Sequence, residues 1–272
     1  MLSFRVTAIA LVASAVASTI LPEPAVAGVG DLLVAPTRVV LDGRRGTEII
    51  LSNIGDDVAT YRVSVELRRM TEEGRLEDVA TPNDAEKAAE AMILYAPRKV
   101  TLMPNQPQSI RVSARAPAGI ADGEYRVHML FRAVPPPLPV TAPKTGGVSF
   151  QIRPIYGVTI PVIVRLGNLE AKASIANVHK DVEDGKPVVT MDISRTGSRS
   201  TFGEVRVTKA GSADPIALVR GVAVYTELGK RTVHVPIDPA KLDEANGQVS
   251  VQYVEPTDTG PVTIAETSAV LR

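Results

Sequence analysis

Apolar and polar residues alternate with a period of two along most of this chain, and that period is typical of β-strands with one buried face. Clear runs of this kind occur at residues 60–67 and 125–133. Residues 32–41 are expected to form a further strand, which ends at the turn-forming pair Asp42 and Gly43. No alternation of strands with helical segments is present, so the pattern predicts an all-β fold rather than an α/β fold.

A single segment, residues 82–92, has the composition of a helix rather than a strand. Its sequence PNDAEKAAEAM is rich in alanine and glutamate, and Asn83 is suited to cap the first helical turn. The sequence therefore predicts one short helix in the first half of the chain.

The strand pattern restarts after the tripeptide Gly-Asn-Leu at residues 167–169, which indicates a domain boundary. Beyond it, short strands recur at regular spacing, and Asp184-Gly185 between two of them is a hairpin signal. Regularly spaced short strands are typical of an immunoglobulin-like sandwich. The sequence predicts two immunoglobulin-like β-sandwich domains, residues 28–166 and residues 167–272.

The first 27 residues have the pattern of a secretory signal peptide. Arg5 precedes a run of small and apolar residues, and Ala25-Val26-Ala27 supplies a cleavage pattern. A membrane anchor is the alternative, but the apolar run is short and the cleavage pattern follows it. We therefore expect a cleaved signal peptide, export to a bacterial periplasm and no stable insertion into a membrane.

Composition excludes or disfavours several classes of function. The 272 residues include no Cys and three His, and 30 Lys and Arg balance 30 Asp and Glu. Thiolate chemistry is therefore excluded, and the chain has no net positive charge with which to hold nucleic acid. The sequence also lacks a nucleophile elbow, a zinc-protease motif and a phosphate-binding glycine loop. We expect a protein that is not an enzyme and that uses no cofactor or metal.

The segment at residues 148–166 has the most informative pattern. In its first half the even-numbered positions are apolar, with Val148, Phe150, Ile152 and Tyr156 among them, whereas the odd-numbered positions are mostly polar. Two interpretations remain open. The segment is either an ordinary half-buried strand or a strand at a sheet edge that offers its apolar side chains to another chain.

Several short stretches of the first half carry a family resemblance. They are PTRVVLDG at 36–43, LSN at 51–53, YAPR at 95–98, QSIRV at 108–112 and IPVIV at 160–164. Together they resemble the periplasmic pilus chaperones of the chaperone–usher pathway, the PapD-like family, and IPVIV is similar to the form found in its archaic branch. The resemblance spans about residues 33–166 and is weak beyond them.

The resemblance implies a function in fimbrial assembly. Members of the family have two immunoglobulin-like domains set at an angle, and they lend the last strand of the first domain to a fimbrial or pilus subunit that lacks a strand. They then deliver the subunit to an outer-membrane usher. The resemblance assigns the lent strand to about residues 148–164, with Val148, Phe150, Ile152 and Tyr156 filling the subunit. The alternative is an exported structural or adhesive β-sandwich protein without chaperone activity.

The resemblance also assigns roles to three charged residues. Arg38 matches the arginine that binds the terminal carboxylate of the subunit, because a guanidinium can pair with both oxygens. The main branch of the family adds a Lys where this chain has Pro161, so either another cation such as Arg153 replaces it or the subunit is anchored differently. Glu124 and Arg165 match an interdomain salt bridge, whose acidic partner in the second domain stays open. Whether the free protein caps its own edge by forming a dimer also stays open.

Overall fold

The computed structural model describes residues 31–135, 154–212 and 214–272 of the chain. The predicted signal peptide lies outside these residues. Among the described residues, no helix is long and apolar enough to cross a membrane.

Two sheets and a short hairpin make up the first half of the chain. The strands are β1 (Leu32–Ala35), β2 (Val39–Leu41), β3 (Thr47–Asn53), β4 (Ala59–Glu66), β5 (Arg68–Met70), β6 (Leu76–Asp78), β7 (Ile93–Ala96), β8 (Lys99–Leu102), β9 (Pro107–Ala114), β10 (Gly123–Val134) and β11 (Gly157–Leu166). One sheet has the order β1-β3-β9-β7, the other has the order β2-β11-β10-β4-β8, and β5 pairs with β6 alone. The two larger sheets enclose a mainly aliphatic core around Tyr61 and Phe131.

The second half of the chain forms a second pair of sheets. The strands are β12 (Ala171–Glu183), β13 (Lys186–Gly197), β14 (Thr201–Lys209), β15 (Pro215–Val224), β16 (Lys230–Pro236), β17 (Gly247–Thr257) and β18 (Gly260–Leu271), and a short 3-10 helix spans Pro239–Glu244. The sheets have the orders β12-β13-β16 and β15-β14-β17-β18. A separate aliphatic core lies between them. The predicted all-β fold with two sandwich domains is confirmed.

The segment at residues 32–41, expected to be one strand, is in fact two strands in different sheets. β1 pairs with β3, whereas β2 pairs in parallel with β11 in the opposite sheet. Pro36 lies between them and has no N–H to donate to a strand ladder, so the break falls where pairing is weakest. The change of sheet brings Arg38 to the start of β2, beside the second sandwich.

The predicted helix and hairpin are both present. Helix α1 (Asp84–Met92) begins after Asn83, whose side chain accepts a hydrogen bond from the Glu86 backbone N–H, while the Glu86 carboxylate accepts one from the Asn83 N–H. This reciprocal capping box fixes the start of the helix. In the second sandwich, Asp184 and Gly185 both have positive φ, which suits the two-residue turn joining β12 and β13.

Candidate strand-binding edge and interdomain cluster

β11 lies between β10 and β2 but is covered unevenly by them. β10 pairs with all ten residues of β11, from Gly157 to Leu166. On its other side, β2 pairs only with residues 162–164. Among the described residues, no strand pairs with the outer edge of β11 at residues 157–161.

The hydrogen-bonding pattern shows which backbone groups face that edge. The backbone N–H of Ala133 donates to the C=O of Tyr156, directly opposite in the register, at 2.9 Å. Because hydrogen-bonded pairs alternate along an antiparallel ladder, even-numbered residues of β11 direct their backbone groups to β10. Gly157 and Thr159 therefore direct an N–H and a C=O outward, whereas Pro161 directs only a C=O outward.

Side chains on β11 alternate between two surroundings. Val158, Ile160, Val162 and Val164 pack in the core of the first sandwich. Ile163, on the opposite face, packs against residues of the second sandwich in a small apolar cluster. One face of β11 therefore continues the core, and the other face contacts the second domain.

The residues assigned to the lent strand are only partly described. Val148, Phe150 and Ile152 lie outside the described residues, as does Arg153. Tyr156 immediately precedes β11, and its side chain is 57% exposed. The segment that leads into β11 thus carries a large, exposed apolar side chain at an even-numbered position.

Glu124 and Arg165 face each other across β10 and β11, with Arg165 Nε donating to Glu124 Oε2 at 3.0 Å. The same oxygen accepts hydrogen bonds from the backbone N–H and the Oγ of Ser200, both at 3.0 Å. Both ionic partners therefore belong to the first sandwich, and Ser200 supplies the link to the second. Glu255 does not join the pair, because it binds Arg199 through two hydrogen bonds of 2.8 Å.

Arg38 lies in the same interdomain cluster, defined as Arg38, Glu124, Arg165 and Ser200. Its guanidinium stacks on the ring of Phe202, 4.4 Å from the centroid, and one nitrogen donates to Ser200 Oγ at 3.3 Å. The other terminal nitrogen, Nη1, is buried and has no hydrogen-bond partner among the described residues. Burial lowers the pKa of Arg38 below its usual value. Nη1 is therefore a donor whose hydrogen-bonding capacity is not used by the described residues.

A second contact between the sandwiches was not foreseen from the sequence. Arg126 donates two hydrogen bonds to the carboxylate of Glu227, one of them at 3.0 Å, and its guanidinium lies 3.5 Å from the ring centroid of Tyr225. The Met70 N–H donates to the same carboxylate at 2.9 Å. Glu124, Arg126 and the buried His128 are alternate residues of β10, so the sequence indicates that they share one face of the strand. It does not indicate which part of the second domain packs on that face.

Nothing in the described part of the chain points to metal chemistry. Among those residues, no group of three or more His, Asp or Glu side chains is arranged to hold a metal ion. The edge of β11 presents backbone groups that no described strand pairs, and the interdomain cluster contains the guanidinium groups of Arg38 and Arg165.

Sequence comparisons find no matching family model and no matching curated protein. Solved structures similar to this chain are pilus chaperones. The CupB2 chaperone of Pseudomonas aeruginosa is 15% identical with a TM-score of 0.47, covering 88% of this chain and 100% of that chain. A structure of the Salmonella enterica SafA pilin in complex with the SafB chaperone matches with 18% identity and a TM-score of 0.47, covering 90% and 98%.

A complex of the CsuC chaperone with the tip subunit CsuE, from archaic Csu pili of Acinetobacter baumannii, matches with 11% identity and a TM-score of 0.44 over 88% of this chain and 97% of that chain. These structures are of the class of proteins that the motifs in the first half of the sequence resemble. Similarity at this level concerns the fold, and the function of this chain has to follow from its own residues.

Proposed function

We propose that this chain is a periplasmic chaperone that binds pilus subunits by donating an edge strand and delivers them to an outer-membrane usher. The observation that carries the proposal is the outer edge of β11, which no described strand covers at residues 157–161. An exposed edge of this kind is a ready template for a strand of another chain.

Backbone and side chains of this region supply different parts of the recognition. The outward N–H and C=O groups of Gly157 and Thr159 offer main-chain hydrogen bonds, which every partner strand can satisfy. The even-numbered residues of β11 face the core. If the strand extends toward the N-terminus when a partner binds, the same alternation puts Tyr156, Ile152, Phe150 and Val148 on that face. These apolar side chains would fill the open core of a subunit that lacks one strand.

Arg38 is proposed to bind the terminal carboxylate of the subunit. Its stacking on Phe202 leaves the buried Nη1 free of partners among the described residues. A carboxylate would satisfy that donor with a charge-assisted hydrogen bond. Pro161 supplies no second cation at the position of the family's Lys, and Arg153, the alternative second cation, lies outside the described residues.

The test is capture of a subunit in the native host. The full chain, tagged at its C-terminus, is isolated from the periplasm as wild type, as Ile152→Asp and as Gln151→Asp. The two variants carry the same new charge one residue apart, but only the first places it on the apolar face. Because a carboxylate cannot enter an apolar groove without a large cost, Ile152→Asp is expected to lose the partner and Gln151→Asp to keep it.

Bound proteins are identified by mass spectrometry. One small, β-rich exported partner present with wild type and Gln151→Asp, and absent with Ile152→Asp, supports strand donation. Equal capture by all three proteins contradicts it. Self-association of the wild type with no other partner would instead favour the structural or adhesive β-sandwich protein.

A further inference from the structure

Three cations form a row across the outer face of the sheet that contains β11. Lys99 on β8 lies directly opposite Arg62 on β4, and Arg62 lies directly opposite Arg132 on β10. All three are exposed. Neighbouring strands are about 4.8 Å apart, so this basic row spans only about 10 Å between its outer members.

Such a row is unfavourable in the isolated protein, because like charges directly opposite each other in a sheet repel. No described Asp or Glu lies within ion-pair distance of Arg62, Lys99 or Arg132. The stretch between the described parts of β10 and β11, residues 136–153, contains Lys144 and Arg153 but no acidic residue. Among the described residues, the basic row therefore has no acidic partner.

The rows on either side of the three cations are uncharged. On one side, the hydroxyls of Thr60 and Thr101 lie 2.9 Å apart, and Val134 is the next residue in that row. On the other side, Ser64 lies opposite Leu130. The basic row is thus flanked by an uncharged row on each side.

The basic row ends at the proposed strand-binding edge. The residue of β11 opposite Arg132 is Gly157, which places no side chain between Arg132 and the outer edge. A strand that pairs with this edge would place one residue beside Gly157, about 10 Å from the Arg132 Cα. That distance is within the combined reach of an arginine and a glutamate side chain on the same sheet face.

We propose that the basic row selects partner strands that carry an acidic side chain beside Gly157, on the face opposite the core. This proposal rests on the strand-donating function and names the chemistry of the partner. It is separate from carboxylate binding at Arg38, because Arg132 lies eight residues along β10 from Glu124 of the interdomain cluster, about 27 Å away in an extended strand.

The probes are two fluorescein-labelled ten-residue strand peptides with amidated C-termini, so that no terminal carboxylate is present. Both have valine on one face and threonine on the other, with two of the threonines replaced by glutamate in one peptide and by glutamine in the other. Binding to the full chain is measured by fluorescence anisotropy at 50 mM and 500 mM NaCl. Wild type should bind the glutamate peptide about fivefold more tightly at low salt. High salt should remove the difference.

Two double variants separate the basic row from net charge. Arg62→Gln with Arg132→Gln removes two exposed cations of the row, and the two peptides are then expected to bind equally. Arg44→Gln with Arg45→Gln makes the same change of charge at the exposed turn between β2 and β3, and the preference for the glutamate peptide should remain.

The outcomes distinguish this proposal from the function on which it rests. Equal binding of both peptides to the wild type overturns selection by the basic row and leaves the open edge in place. A preference that persists in the Arg62 and Arg132 variant also overturns it. Binding of neither peptide contradicts the open edge itself, and with it both proposals.

Discussion

Arg38 is positioned by stacking and packing rather than by an ion pair. Its guanidinium lies over Phe202 and donates to Ser200 Oγ, while the nearby Glu124 carboxylate is hydrogen-bonded to Arg165 and Ser200. A side chain held in this way can bind an incoming anion without breaking an existing salt bridge. If Arg38 binds the subunit as proposed, its replacement should reduce binding more than stability.

Arg38→Met tests whether Arg38 acts mainly in binding, because methionine keeps the apolar contact with Phe202 and removes the guanidinium group. We expect capture of the subunit to fall at least about tenfold, which corresponds to about 1.4 kcal/mol, with little change in thermal stability. Capture is measured from the periplasm and stability by circular dichroism, with Arg45→Met as the control. A loss of stability as large as the loss of capture would show that Arg38 is structural.

His128 makes stability depend on pH in a defined direction. It is buried on β10 beside Arg126 and the ring of Tyr225, and burial, followed by the charges of Arg126 and Arg68, lowers its pKa to about 3. In the unfolded chain the pKa is about 6.5, so the unfolded state binds the extra proton between these values. Stability is therefore expected to fall as the pH drops from about 6.5 toward 3.

His128→Leu removes this proton without adding a polar atom. The free energy of unfolding of wild type, relative to the variant, should decrease by up to about 1.4 kcal/mol per pH unit between pH 6 and pH 4. Denaturant titrations of both proteins across that range measure the difference. The contribution of carboxylate titration to stability cancels, because both proteins have the same carboxylates. A difference that is independent of pH would contradict the account.

At the residue scale, the sequence indicated the pair of Glu124 and Arg165, but not the residues of the second domain that contact the first. The family resemblance assigns roles to Arg38, which lies in the stretch PTRVVLDG, and to Glu124 and Arg165. Ser200 and Glu227 were not assigned, because their roles arise from contacts with residues 76 and 101 positions away, respectively, in the chain. Such contacts depend on how the two sandwiches pack against each other, and the periodicity of a single strand does not predict that packing.

At the scale of elements, local signals predicted more than long-range ones. The capping box of α1 and the Asp184-Gly185 turn depend on neighbouring residues, and both are present. The division of residues 32–41 into β1 and β2 was missed, because it depends on which sheet each half joins. In β11 the even-numbered residues from Val158 to Val164 face the core, whereas the parity predicted for residues 148–153 lies outside the described residues.

Pro161 has a specific effect on the edge of β11. Its position in the ladder directs the missing N–H outward, so no hydrogen bond to β10 is lost, and the outer edge has one donor fewer. Proline at such a place limits unwanted edge pairing. Pro161→Val should therefore increase self-association of the free protein.

Sedimentation velocity measures that change. We expect the dimer fraction of Pro161→Val to rise severalfold over wild type at equal concentration. Thr159→Val, which alters the side chain at the same edge and keeps the N–H, should stay close to wild type. An unchanged dimer fraction in the Pro161 variant would show that this N–H does not limit pairing.

At the scale of the whole molecule, the interdomain cluster, two further polar contacts and a small apolar cluster join the described parts of the two sandwiches. The hairpin of β5 and β6 reaches the second domain, where the Thr232 N–H donates to the Glu72 C=O at 2.7 Å. Glu227 accepts from both Arg126 and Met70. Its partner Arg126 has a side chain that is only 8% exposed, so loss of the carboxylate would leave a buried charge.

Glu227→Gln is therefore expected to weaken the contact between the domains. Removing one partner of a buried pair costs about 3 kcal/mol or more. Differential scanning calorimetry should show a lower midpoint and a separation of the unfolding of the two domains, while Glu77→Gln at an exposed position should leave the trace unchanged. A trace for Glu227→Gln that matches wild type would contradict the role of this pair.

Amide hydrogen exchange at single residues can show whether a partner strand pairs with the outer edge of β11, as proposed. In the free protein, the outward N–H groups of Gly157 and Thr159 should exchange quickly, whereas those of Val158 and Ile160, bonded to β10, should be protected. In the complex with the captured subunit, Gly157 and Thr159 should become protected as well. Protection that is unchanged at these two amides in the complex would contradict strand pairing at this edge.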